Sequence, residues 1–218
     1  MRVDRFLREE DLAAIEAAVR EAETASGGEI VPYLADASDA YPGAPWTAAA
    51  LGAVVAPALA ATAYALAGLW GSWWPLWMTA PPVAGAAAGY LAASFLAPLR
   101  RWVVPASVRA RRVEQRAAAA FLAEEVFATR DRTGILLFVS LFERRVVVLA
   151  DSGIHGRVSP GVWDDVVSGT VAGLHAGKPG PALAEAVRRC GAILAEHGLP
   201  LRADDRDELA NRLRREDR

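Results

Sequence analysis

The chain has 218 residues, of which 53% are hydrophobic and 23% are charged, and its formal net charge is −2. Its single cysteine excludes an intrachain disulfide and any zinc site built from cysteines. The nearly balanced charge does not favour nucleic-acid binding, so we predict no nucleic-acid partner.

The first predicted elements are a helix from Glu9 to Ala25 and a strand from Glu29 to Ala35. Apolar residues recur at helical spacing in the first segment, and a pair of glycines ends it. Pro32 has no backbone N–H group, which predicts an edge strand or a bulge at this position. The first residues are acidic and lack a short apolar leader, so we predict no cleaved signal peptide.

The next segment has no charged residue between Asp39 and Arg100. Each half of it exceeds the roughly 20 apolar residues that cross a hydrocarbon core about 30 Å thick. We therefore predict a transmembrane hairpin over 46–99, with helices at about 47–69 and 76–99, and the lipid bilayer as a partner. The alternative is a buried helix pair of a soluble protein, but such helices keep a polar stripe and these do not.

The flanks of the hairpin predict its orientation. The Trp-rich loop between the helices contains no arginine. Six arginines closely follow the second helix: Arg100, Arg101, Arg109, Arg111, Arg112 and Arg116. Because basic flanks stay in the cytoplasm, we predict an integral membrane protein with its soluble part and both termini cytoplasmic. The spacing of Gly85 and Gly89 permits close helix approach, either within the hairpin or in a homodimer.

Beyond the hairpin, the pattern predicts a helix over 108–128 and strands over 135–141 and 146–150 that pair as a β-hairpin in the middle of a sheet. Two further helices and a charged tail follow. This order predicts a small α/β/α sandwich formed by residues 1–45 and 100–218, which the transmembrane hairpin interrupts.

These elements and their motifs resemble the TPM domain family. The matching pieces, in chain order, are 28–30, 133–141, 145–154, 163, 183–194 and 199–211. The resemblance implies an α/β/α sandwich that works at membranes. Members of this family have been linked to photosystem repair, to receptor assembly, and to acid phosphatase activity with calcium binding.

The candidate metal ligands are acidic. Asp151 follows a strand, at the end where α/β sheets usually bind ligands. Asp204, Asp205 and Glu208 lie close together in the charged tail, and calcium or magnesium prefers carboxylate oxygens. Together with the family's calcium binding, this makes the four residues candidate ligands. The alternatives are a turn-forming Asp151 and a tail of helix-capping and solvated charges.

No phosphatase nucleophile motif and no glycine-rich phosphate loop occurs in the chain. The histidines are scattered without metal-ligand spacing, although His155 follows a strand end, and Cys190 falls on an apolar helical face. We therefore expect a non-enzymatic, membrane-anchored accessory domain that assists the assembly or maintenance of a membrane complex by binding a membrane protein partner. The alternative is a metal-dependent phosphoesterase.

Overall fold

The computed structural model describes residues 7–68, 74–197, 209 and 212–216, with the backbone alone at 74, 75, 77, 160 and 216. It divides into two compact units. The α/β unit comprises Met1–Asp39 and Ala110–Arg218, and the helical unit comprises Ala40–Arg109.

The helices, in chain order, are α1 (Glu9–Ala25), α2 (Ala44–Leu66), α3 (Trp74–Phe95), α4 (Ala97–Val103), α5 (Ala106–Ala123), α6 (Ser152–His155), α7 (Trp163–His175) and α8 (Pro179–Glu196). The strands are β1 (Glu29–Ala35), β2 (Gly134–Ser140), β3 (Arg145–Ala150) and β4 (Arg214–Glu216). A 3₁₀ turn over Pro160–Val162 precedes α7.

The described strands form a mixed sheet in the order β3-β2-β1-β4. β1 is parallel to β2 and to β4, whereas β2 is antiparallel to β3. The predicted α/β fold class is therefore confirmed. The β2–β3 hairpin was predicted for the middle of the sheet, and that is wrong for β3, which lies at an edge of the described sheet. Its apolar residues suited a buried strand, but most of them are only half-buried.

Side chains of β1, β2 and β3 alternate between two hydrophobic clusters, one on each face of the sheet. On one face they pack with α1, α7 and α8, and on the other with α5. Phe138 stacks on Tyr33 in the second cluster, with ring centroids 5.4 Å apart. Because helices cover both faces, β1 and β2 are buried along their whole length, which explains their continuous apolar sequence.

The missing N–H of Pro32 predicted an edge strand or a bulge, but β1 is not an edge strand of the described sheet. β1 lies between two neighbours, but β4 pairs only with residues Tyr33 to Ala35. At Pro32, the described sheet therefore continues on the β2 side alone, where Pro32 lies opposite Leu137. The proline falls just outside the short β4 ladder, which is why the fold tolerates it.

The predicted charged tail contains β4, which sequence reasoning missed. Arg214 at its start forms an ion pair with Glu124, with 2.6 Å between Nε and Oε2. Charged side chains are common on edge strands because they discourage pairing with other chains. A three-residue strand of charged residues carries no periodicity that a sequence pattern could reveal.

Within the helical unit, α2 and α3 pack as an antiparallel pair through their smallest residues. A Cβ atom at Gly85 would overlap the carbonyl group of Gly52, and one at Gly89 would overlap the carbonyl group of Ala48. The two glycines therefore serve helix packing within the chain, which was the first of their two predicted uses. The homodimer through these glycines stays a prediction. Residues 69–73 of the Trp-rich loop lie outside the described residues.

The second apolar helix ends earlier than the predicted residue 99. α3 stops at Phe95, Leu96 is extended with φ −103° and ψ 99°, and α4 leaves at a bend of 110°. The cause is Pro98, because its ring would clash with the carbonyl group of Ser94 in a continuing helix. The last apolar residues of the segment thus belong to a separate short helix.

Cys190 on α8 gives the α/β unit a titratable group in its core. The thiol is fully buried, and this burial raises its pKa from the ordinary value of 9.0 to about 12. Since the unfolded thiol ionises first, its contribution to stability is complete below pH 9 and is lost as the pH rises toward 12. At pH 10 we expect a loss of about 1.4 kcal/mol relative to pH 8.

Thermal unfolding of the purified full chain in mild detergent at pH 8 and pH 10 checks this expectation. The matched variant Cys190→Ala keeps every other titratable group and should show a smaller loss between the two pH values. Equal losses in both proteins would contradict a buried, protonated thiol.

Candidate functional site

The parallel strands β1 and β2 finish side by side at one end of the sheet, and a buried polar network lies at this end. The backbone N–H of Ser38 donates to both Glu143 oxygens, at 3.0 and 3.2 Å. The Ser38 hydroxyl donates to the Ser140 hydroxyl oxygen at 3.0 Å, and Ser140 in turn donates to Glu143. All three residues are buried. A buried carboxylate is stable only when hydrogen-bonded in this way.

The network joins two loops that follow neighbouring strands. Ser38 lies in the segment after β1, and Glu143 lies in the turn between β2 and β3. Backbone bonds extend the contact, because Phe142 N–H donates to the Asp36 carbonyl oxygen at 3.0 Å. The Glu143 carboxylate is thus used to hold the β1 loop, which leads toward α2, against the β2–β3 turn. In these contacts Glu143 has a positioning role.

A nearby ion pair connects the two segments of the α/β unit. Arg112 Nε lies 2.9 Å from Asp39 Oδ2, and Arg112 is half exposed. Asp39 ends the first segment of the unit, and Arg112 lies near the start of the second. An exposed pair of this kind contributes about 0–1 kcal/mol, so the buried network of Glu143 is the stronger link at this end of the sheet.

Asp151 lies at the opposite end of the strands from that network. It directly follows β3, which is antiparallel to β2, so it lies beside the amino end of β2. Its backbone N–H donates to the Gly134 carbonyl oxygen at 2.9 Å. Asp151 therefore follows a strand, as predicted, but it lies away from the carboxyl ends of the parallel strands, where ligands were expected to bind. The direction of β3 is the physical reason, since ligands bind at the carboxyl ends of parallel strands.

The buried Asp151 carboxylate has two protein partners. Its Oδ1 accepts the backbone N–H of Ser152 at 2.6 Å, which caps α6. Its Oδ2 lies 2.8 Å from Arg132 Nε. The Oδ2 contact is an ion pair without hydrogen-bond geometry. These contacts match the turn-forming alternative for Asp151.

The other three predicted ligands, Asp204, Asp205 and Glu208, lie outside the described residues. Among the residues that the structure does describe, no group of three His, Cys, Asp or Glu side chains could hold a metal ion. The calcium or magnesium site of four carboxylates therefore stays a prediction.

Replacing Asp151 by alanine separates its two possible roles. As a cap and ion-pair partner, Asp151 stabilises the fold with or without metal. We expect Asp151→Ala to lower the free energy of unfolding by about 1–3 kcal/mol. The loss should be equal in EDTA and in millimolar calcium when thermal unfolding of the full chain is measured. A loss confined to the calcium sample would instead identify Asp151 as a ligand.

Two of the described histidines make local contacts through their Nδ1 atoms. His155 Nδ1 lies 3.1 Å from the Ala150 carbonyl oxygen, and His197 Nδ1 lies 2.8 Å from that of Ile193. His155 thus contacts the end of β3, which precedes its own helix, and His197 contacts the last turn of α8, which it directly follows. These contacts fit the structural roles of histidines near helix ends and support no acid–base pair.

A groove of about 400 Å³ lies between α7 and α8. Small residues such as Gly169, Gly173 and Ala182 line it, and its rim carries both acidic and basic side chains. The mixed rim gives no preference for a charged ligand.

Within the helical unit, α2 is long and apolar enough to cross a membrane, and 6% of its most apolar window is buried. The bent pair α3–α4 passes the same test if it counts as one span. These are properties of length and composition. They agree with membrane integration and give neither topology nor compartment.

Comparisons with known proteins show a fold and no family. No protein-family model matches the chain, and no curated protein matches it. The structure is similar to the NMR structure of the BA42 protein from the psychrophilic bacterium Bizionia argentinensis, with a TM-score of 0.60. The two chains are 20% identical, and the match covers 99% of each. At this identity, the likeness shows a shared fold alone, that of a mixed α/β protein.

Proposed function

We propose that this chain is an integral membrane protein in which the α2–α3 pair spans the bilayer and anchors a TPM-like accessory domain. The observation that carries the proposal is the outward-facing apolar surface of that pair. Val54 is 71% exposed, and Val83 is 70% exposed. No charged residue interrupts this surface before Arg100.

The dimensions of the two helices fit this role. With a rise of 1.5 Å per residue, α2 is about 35 Å long and α3 about 33 Å, against a hydrocarbon core of about 30 Å. Their backbones meet through Gly52, Gly85 and Gly89, so the larger apolar side chains are left facing outward. In water such a surface would drive aggregation, whereas in lipid it is matched.

The charges of the helical unit support a cytoplasmic location for the α/β unit. Its charged residues are Arg100, Arg101 and Arg109, and all three follow α3. Basic residues at one end of a span are retained in the cytoplasm. The chain connects both segments of the α/β unit to this end of the α2–α3 pair.

The accessory role rests on the TPM-like motifs together with the mixed α/β fold. The partner would be a membrane protein, and the role would be its assembly or maintenance. The phosphoesterase alternative gains nothing from the described residues, because Asp151 is used as a helix cap.

Two introduced cysteines test the anchor and its orientation. Thr62→Cys places a thiol on the exposed surface of α2, and Ser168→Cys places one on the exposed side of α7, while buried Cys190 stays unreactive. Cells that express each variant are treated with a membrane-impermeant maleimide before and after permeabilisation. We expect position 168 to react only after permeabilisation and position 62 to react in neither case. Labelling of position 62 in native membranes, or of position 168 in intact cells, would overturn the proposal.

The accessory role needs a separate experiment. Full-length chain is cross-linked in the membranes of its natural host and purified, and its co-purifying membrane proteins are compared with those of Asp204→Ala/Asp205→Ala. We expect the same partner with both proteins. Metal-dependent hydrolysis of a phosphomonoester that disappears in the double variant would favour the phosphoesterase instead.

A further inference from the structure

We infer that α4 is an interfacial helix that lies along the cytoplasmic surface of the bilayer and binds anionic lipid headgroups. The inference rests on the proposed membrane insertion of α2 and α3. It adds a lipid class and a binding surface, which we call the α4 surface: Phe95, Leu96, Arg100, Arg101 and Trp102.

The bend between α3 and α4 sets the orientation of this surface. Spanning helices tilt by about 20° on average from the bilayer normal. A bend of 110° is close to a right angle, so α4 then lies within about 40° of the membrane plane. Leu96 and Pro98 fix the bend in the backbone. The short helix is therefore directed along the interface rather than out into the cytoplasm.

The apolar and aromatic side chains of the α4 surface suit an interface. Phe95 is 82% exposed and Trp102 is 77% exposed, which is unfavourable in water. Two further aromatic residues lie at the same end of the helix pair, where the rings of Trp46 and Tyr90 meet in a T-shaped arrangement with centroids 5.0 Å apart. Tryptophan and tyrosine rings concentrate at the level of the headgroups.

Charge complementarity identifies the lipid. Arg100 and Arg101 lie on α4, where both are half-buried, and Arg109 follows it. Guanidinium groups make paired hydrogen bonds to phosphate. Near an anionic leaflet, each arginine contributes about 1 kcal/mol, which corresponds to about fivefold in affinity. The α4 surface thus combines apolar insertion with recognition of negatively charged headgroups.

Depth-dependent quenching tests the inference on the full chain in nanodiscs. Ala97→Cys, at the exposed start of α4, carries an environment-sensitive dye, and Thr62→Cys carries the same dye on α2. The lipids are phosphatidylcholine alone or phosphatidylcholine with phosphatidylglycerol, each with a nitroxide near the headgroup or near the chain end. We expect the dye at position 97 to be quenched by the shallow nitroxide, and more strongly with phosphatidylglycerol. The dye at position 62 should be quenched by the deep nitroxide in both lipids.

Variants assign the lipid preference to the arginines. Arg100→Gln/Arg101→Gln should abolish the extra quenching that phosphatidylglycerol gives at position 97. Arg188→Gln/Arg189→Gln removes the same charge from α8 and should leave it unchanged. A dye at position 97 that stays in water, or equal quenching in the two lipids, overturns the inference. If the dye at position 62 also escapes the deep nitroxide, the proposed membrane anchor fails as well.

Discussion

Alanine in place of Glu143 is expected to lower the free energy of unfolding of the α/β unit by about 2–4 kcal/mol. The substitution removes the acceptor of the Ser38 N–H and of the Ser140 hydroxyl, and both donors are buried. A buried donor without an acceptor costs its full desolvation penalty, which is larger than the net value of one hydrogen bond. The β1 loop and the β2–β3 turn lose their side-chain link together.

Cys190 provides the readout for this experiment because it is the single cysteine and lies in the core. A maleimide reacts with it only when the α/β unit opens, so the labelling rate follows the population of the open state. A loss of 2–4 kcal/mol corresponds to a labelling rate roughly 30-fold to several hundredfold higher. The helical unit contributes no thiol, so the measurement works in mild detergent.

Two further variants act as controls for Glu143→Ala. Glu143→Gln keeps one carbonyl oxygen as an acceptor and should lose less stability than alanine. Glu114→Ala removes a carboxylate from the exposed side of α5 and should change the free energy of unfolding by no more than about 0.5 kcal/mol. If Glu143→Ala labels no faster than Glu114→Ala, the network does not support the fold.

Local patterns predicted most of the elements correctly. The spacing of apolar residues gave α1 and β1 with the observed limits, and the apolar run of β2 indicated a strand buried on both faces. These signals are local, since they depend on how a helix or a strand repeats. Strand order is not local, and so the edge position of β3 and the existence of β4 escaped prediction. The bend at Leu96 had a local signal in Pro98, but the continuous apolar composition masked it.

The candidate site was less predictable than the fold. Asp151 was recognised as a residue that follows a strand, and the predicted antiparallel β-hairpin already implied that it lies beside the amino end of β2, away from the carboxyl ends of the parallel strands. The network of Ser38, Ser140 and Glu143 was missed, although each residue lies at or shortly after the carboxyl end of β1 or β2. Polar residues after two parallel strands are the signal that would have pointed to this end of the sheet. This signal is informative only if β1 and β2 are parallel neighbours in the sheet, and α2 to α5 separate these strands in the chain.

Arginine at position 54 should disrupt membrane insertion, because Val54 lies near the middle of α2 and faces outward. A central arginine costs about 2.5–3.5 kcal/mol on the insertion scale, to which the loss of valine adds a few tenths. In a soluble protein, the same change at a 71% exposed position would be neutral or would increase solubility. The two environments thus predict effects of opposite direction for one substitution.

Extraction of membranes with alkaline carbonate measures this difference. We expect Val54→Arg to reduce the fraction of chain retained in the pellet, while Val54→Leu retains the wild-type fraction. Thr47→Arg adds the same charge near the start of α2, at the end where the native arginines lie, and should have a smaller effect because the side chain reaches the headgroups. The retained fraction should therefore fall in the order Val54→Leu, Thr47→Arg, Val54→Arg, because an arginine costs more the deeper it lies in the hydrocarbon core. Equal retention of all three proteins would indicate that α2 does not cross the bilayer, because only the lipid environment makes position 54 more sensitive to charge than position 47.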